Sequence, residues 1–114
     1  MKSYQEITQG ISRQMAALRQ EVPAVMEGFS ALAKAATQDG ALDKKTKELI
    51  ALALAVAAHC DGCIGFHTKT LAQLGAKREE IVEALGMAVY MGGGPSLMYA
   101  AEALTALAEW QKTA

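Results

Sequence analysis

Apolar positions recur at helical intervals along nearly the whole chain. From Ser3 to about Gln20, Ile7, Ile11, Met15 and Leu18 return every three or four residues with charged and amide residues between them, which predicts a first amphipathic helix. Pro23 closes it and suits the first turn of a second, along which Val25, Met26, Phe29, Leu32, Ala33 and Ala36 line one face until the Gln38-Asp39-Gly40 break. Asp43 is a good N-cap for a third helix that reaches about Ala58. Lys44, Lys45 and Lys47 in its first turn oppose the helix dipole, so they are expected to be solvated or paired elsewhere. Leu49 to Ala58 is apolar on all sides, which places this helix through the centre of the fold or under another subunit.

A turn at His59-Cys60-Asp61-Gly62 leads into a fourth helix, from about Asp61 to Leu74. There Ile64, Leu71 and Leu74 continue the face carrying Cys63 and His67, so both functional groups are expected to turn toward protein. Gly75 suits the left-handed residue that ends it, and Glu79 and Glu80 suit the first turn of a fifth helix, Arg78 to about Met91. Gly92-Gly93-Gly94-Pro95 reads as a helix-to-helix turn, lacking both the preceding strand and the lysine of a phosphate-binding loop. It starts a sixth helix with Pro95 at its first position, Leu97, Ala101, Leu104 and Ala108 as its inward stripe, and Trp110 and Lys112 near a frayed end. The expectation is an all-α fold, a compact bundle of about six helices joined by short connections, with residues 1–114 as a single domain.

Composition agrees with that pattern. The chain is 52% hydrophobic but only 5% aromatic, and alanine and leucine supply most of the apolar content, which suits closely packed helices better than a β-sandwich. A net charge of −1, with no Lys/Arg run interleaved with aromatics, excludes nucleic acid as an expected partner. The apolar run Leu49 to Ala58 is about half the roughly 20 residues a membrane span needs, so no membrane partner is expected either. The N-terminal MKSYQEITQGISRQ lacks the apolar core of a signal peptide, and the expected location is cytoplasmic. In that compartment two close cysteines are more often redox-active or metal-binding than a structural disulfide.

The candidate chemistry lies between Glu48 and His67. Cys60 and Cys63 flank the start of the fourth helix, where unpaired N–H groups and the helix dipole lower a thiol's pKa. His67 follows Cys63 by four residues and shares its face. An imidazole there can take a thiol proton, and a second cysteine three residues away can attack a sulfenic acid to close a disulfide. Gly62 lets the turn close without a side-chain clash.

These residues resemble the alkylhydroperoxidase-D-like group of the carboxymuconolactone decarboxylase superfamily. The matching motif is Glu48, eleven intervening residues, then Cys60-x-x-Cys63-x-x-x-His67, and the similarity continues through LAQLGAKREEIVEAL into the Gly92-to-Ala101 segment. It covers roughly the last seventy residues; the first forty match only in being helical. The resemblance implies that Cys63 attacks the peroxide, that Cys60 donates a proton and closes the disulfide, and that His67 and Glu48 form the proton relay. It also implies a hydroperoxide substrate, an external dithiol or thiol-protein reductant, and a homo-oligomer, trimer or hexamer; no flavin, haem or nicotinamide motif is visible, so no cofactor is expected. Gly62 stands where the best-known peroxidases of the group carry a histidine, and His59 is not an equivalent position.

By helix geometry Glu48 lies about 18 Å before Cys60 and His67 about 9 to 10 Å beyond it, so a bridging water is as good an expectation as direct contact. Three other readings compete with the peroxidase. The decarboxylase branch of the superfamily does not depend on the cysteine pair. A zinc site could draw on His59, Cys60, Cys63 and His67, although one tight turn surrounds an ion poorly. In a non-catalytic oligomeric protein the cysteines would simply pack.

Overall fold

The computed structural model describes residues 2–112, which form six helices and, among the described residues, no strand. They are α1 (Tyr4–Glu21), α2 (Pro23–Ala36), α3 (Lys44–Ala57), α4 (Asp61–Gln73), α5 (Arg78–Gly92) and α6 (Gly94–Lys112). Their boundaries lie where local chemistry puts them. Ser3 caps α1 by accepting the Glu6 N–H, and Pro23 opens α2. Asp43 Oδ1 accepts the Thr46 N–H at 2.8 Å, Glu80 Oε1 accepts the Lys77 N–H at 2.9 Å, and Gly75 and Gly93 take φ of +72° at the ends of α4 and α5. Of the three lysines that open α3, Lys45 reaches Glu80 on α5 at 2.8 Å and Lys47 donates to the Gln38 carbonyl at 2.7 Å.

Helix α3 is central, packing against α4, α5 and α6, while α1 covers α4 and one edge of α6. Leu52, Ala55 and Val56 of α3, Ile64 and Leu71 of α4, Ile81, Leu85 and Ala88 of α5, and Ala100, Ala103, Ala106 and Leu107 of α6 form the core, with Tyr4 from α1. The all-round apolar run of α3 is buried on one side only: Ile50 and Leu54 remain exposed. Leu74, at the end of α4, is exposed too.

Two expectations fail in α6. Its inward stripe is Ser96, Ala100, Ala103 and Leu107, one residue out of phase with Leu97, Ala101, Leu104 and Ala108. Small side chains let α6 approach α4 and α5 closely, so Leu97 and Met98 are the ones left outside. Nor is Trp110 frayed: its indole N–H donates to Gly65 O at 3.1 Å and Thr68 Oγ1 at 3.0 Å, fastening the end of α6 to α4.

The first helix also uses an unexpected face. Tyr4 and Thr8 are its buried residues, whereas Ile7, Ile11 and Met15 are half-buried and Leu18 is exposed. Helix α2 touches only α1 and buries nothing; Val25, Phe29 and Leu32 along its apolar face are 67%, 66% and 63% exposed. Among the described residues no helix is long and apolar enough to cross a membrane.

Candidate active site

The α3–α4 connection builds the site. The Ala58 and His59 N–H groups bond back to Leu54 O and Val56 O, the Cys60 N–H reaches Ala55 O at 3.0 Å, and His59 takes the left-handed backbone (φ 55°) that reverses the chain. Cys60 then becomes the N-cap of α4: its Sγ accepts the Cys63 N–H at 3.2 Å, in the position where serine or aspartate usually serves. Cys60 and Cys63 are joined by a disulfide, with Cα atoms 5.3 Å apart, and both are half-buried. A sulfur at this place feels the free N–H groups of the first turn, which favour a thiolate once the bond is reduced.

One turn along α4 from Cys63, His67 Nδ1 meets Glu48 Oε2 at 2.6 Å. The contact is direct, with no water between. The helical rise does not run through the turn: Glu48 is nine residues (48 to 57) before the end of α3, about 13 to 14 Å, and His67 six residues (61 to 67) into α4, about 9 Å. The remaining offset, less than one helical pitch, is spanned by the two side chains. Glu48 does not face solvent; its side chain is 5% exposed, against 32% for His67. A carboxylate on Nδ1 holds the imidazole with its proton on that nitrogen and leaves Nε2 as the basic one. His67 and Cys63 thus line the edge of the α4 apolar stripe, whose buried members are Ile64, Gly65, Thr68 and Leu71.

The glycines here seat α1. A Cβ at Gly62 would come within 2.7 Å of Ile11 Cδ1, and one at Gly65 within 2.6 Å of Thr8 Cγ2. The space that a side chain at position 62 would enter is therefore taken by Ile11. His59 points elsewhere, stacking on Tyr99 with ring centroids 4.7 Å apart and planes 6° from parallel. Among the described residues no three His, Cys, Asp or Glu side chains converge as a metal site.

The structure thus joins Cys60 to Cys63 and Glu48 to His67, and α4 carries Cys63 and His67 one turn apart. It adds residues that sequence reasoning did not select: Lys2 and Tyr4, whose ammonium and hydroxyl both contact Asp61 between the cysteines, and Trp110. The glycines three apart at 62 and 65 were the available signal that a helix packs closely on this turn; nothing in the sequence named Tyr4 or Thr8 as what fills it.

Comparison with known proteins places the chain in a family. The carboxymuconolactone decarboxylase family matches residues 23–106. A family protein from Legionella pneumophila is 67% identical, with a TM-score of 0.92 over 94% of this chain and 96% of that one. A family protein from Thermotoga maritima, for which a role in the antioxidative response has been suggested, is 31% identical, with a TM-score of 0.82 over 92% of this chain and 90% of that one. An uncharacterised protein of Cupriavidus necator is 51% identical over 82% of this chain and 83% of its own length. The likeness reaches well into the first forty residues, further than the motif-based resemblance extended. The chain belongs to the carboxymuconolactone decarboxylase family.

Proposed function

We propose that the protein is a thiol-dependent peroxidase of the alkylhydroperoxidase-D-like type, reducing hydroperoxides through the Cys60–Cys63 pair. The observation that carries this reading is the direct Glu48–His67 contact one helical turn from a cysteine that is disulfide-bonded to the N-cap of the same helix. The antioxidative role suggested for the Thermotoga maritima relative points the same way.

In this mechanism His67 Nε2 accepts the Cys63 proton, and Glu48 holds the ring and stabilises the imidazolium. The Cys63 thiolate attacks the terminal peroxide oxygen, the O–O bond breaks, and the alkoxide leaves as an alcohol after taking a proton from the relay. Cys63 is then a sulfenic acid. Cys60 attacks its sulfur, an S–S bond forms, the S–O bond breaks and water leaves. An external dithiol returns two electrons and two protons and restores both thiols. Self-association completes the reading, with the exposed α2 face as the contact surface.

The test is to reduce the protein, remove the reductant and add one equivalent of hydroperoxide. Intact mass should show the loss of two hydrogens, as an intramolecular disulfide, with one alcohol formed per chain. Thiols that survive this treatment in the folded protein would overturn the reading.

A further inference from the structure

Two residues from the start of the chain reach into the cysteine turn. Lys2 Nζ lies 3.1 and 2.9 Å from the two carboxylate oxygens of Asp61, which follows Cys60 directly, and 3.2 Å from Glu102 Oε2 of α6. The Tyr4 hydroxyl donates to Asp61 Oδ1 at 3.1 Å. The Lys2 ammonium also sits 5.3 Å from the centroid of the Tyr99 ring, the ring that stacks on His59. Both neighbours of Cys60 are therefore held from outside α4. The tether is anchored: Tyr4 is fully buried, and Glu109 of α6 accepts the Tyr4 N–H at 2.8 Å and the Gln5 N–H at 3.3 Å.

The charges matter because of where they are. Among the described residues the titratable groups in contact with Asp61 are Lys2 and Tyr4 from the α1 end; Glu102 of α6 shares the Lys2 ammonium, Tyr99 of α6 lies near that ammonium and stacks on His59 of the turn, and Glu48 of α3 pairs with His67 of α4. A bare carboxylate one residue from Cys60 opposes thiolate formation, against the pull of the helix N-terminus. The Lys2 ammonium offsets that charge, and its bond to Asp61 holds it above its ordinary pKa. Burial first, and the Asp61 acceptor second, raise the Tyr4 phenol, which stays protonated and donating.

We infer that Lys2 and Tyr4 are positioning residues that set the reduction potential of the Cys60–Cys63 pair by fixing and neutralising Asp61. The role rests on the proposed redox function of that pair. Reduction takes the disulfide, two electrons and two protons to two thiols, with an external dithiol as the electron source. Neutralising Asp61 stabilises the thiolate of the reduced state and so raises the potential.

The experiment uses the full chain and its Lys2→Met, Tyr4→Phe and Asp61→Asn variants, each equilibrated in dithiothreitol redox buffers and quenched. Alkylation rate against pH is then measured on the reduced proteins. Lys2→Met should lower the thiolate fraction at pH 7 about threefold, a thiol pKa rise of about 0.5 unit, and move the midpoint to more reducing buffer. Tyr4→Phe should act in the same direction and less. Asp61→Asn should move both quantities the opposite way, although it breaks the same ion pair. A role confined to holding the turn would shift Lys2→Met and Asp61→Asn in one direction, and that result overturns the inference. Variants that all titrate like the wild type overturn it as well, while leaving the peroxidase reading intact. A wild-type pair that will not cycle in the buffer overturns both.

Discussion

Glu48 and His67, nineteen residues apart on adjacent helices, share a 2.6 Å contact in which one partner is almost wholly buried and the other is partly open to solvent. If that contact orients the base, the two positions should fail to different degrees. His67→Ala should slow peroxide-driven oxidation of Cys63 by about 10²- to 10⁴-fold, the usual worth of a general base. Glu48→Gln, which keeps a hydrogen-bond acceptor of the same shape, should cost about 10- to 100-fold. Stopped-flow oxidation of the reduced protein measures both, and equal rates in wild type and His67→Ala would remove the relay.

The two sulfurs should be distinguishable by what each leaves behind. Cys60→Ser should accumulate a Cys63 sulfenic acid that dimedone traps, because Cys63 has His67 one turn away. Cys63→Ser should show little adduct. Mass spectrometry after one equivalent of peroxide reads the difference, and labelling mainly on Cys60 would exchange the two roles.

A helix that buries none of its own residues needs a covering. Phe29 and Leu32 on α2 are expected to lie in a subunit interface, so light scattering at micromolar concentration should give a multiple of the 12.0 kDa chain, a trimer or hexamer by family resemblance. Phe29→Asp should reduce that mass while leaving the helical circular dichroism intact. A wild-type monomer would refute the expectation.

The close approach of α1 to α4 can be tested by volume. Gly65→Ala adds a methyl that meets Thr8 Cγ2, whose rotamer is fixed by Thr8 Oγ1 donating to Tyr4 O at 2.9 Å. The cost should be about 1 to 3 kcal/mol by urea unfolding, in spite of alanine's better helix propensity. Thr8→Ser removes the offending methyl and keeps the hydroxyl. In that background Gly65→Ala should become neutral or stabilising by up to about 1 kcal/mol; an unchanged penalty would place the strain elsewhere.

Helix ends were legible because single residues decide them: Pro23, Asp43, Gly75 and Gly93 act within one turn of their own position. Side-chain partners across the fold were less so. Lys2 meets Asp61 and Tyr4 meets Glu109 over long loops of chain, and no local pattern records such pairs. The α6 stripe was misread because large apolar side chains draw attention, while the buried face is built largely from small residues such as Ala100 and Ala103. The four motif residues were recognised as a set through the family resemblance, but the direct reach of Glu48 to His67 depended on how much chain the turn consumes. Ala58 to Cys60 connects α3 to α4 without adding helical rise.

That economy makes the eleven-residue interval between Glu48 and Cys60 a ruler. One residue inserted in α3 between Leu49 and Ala57 would rotate Glu48 by about 100° and advance it about 1.5 Å, carrying the carboxylate off the face that meets α4. Four inserted residues would return it to nearly the same face but about 6 Å too far along. Neither register preserves the pair. The distance along the chain is thus part of the site's chemistry, and a relative that keeps all four side chains but alters that count would hold the same letters without the same contact.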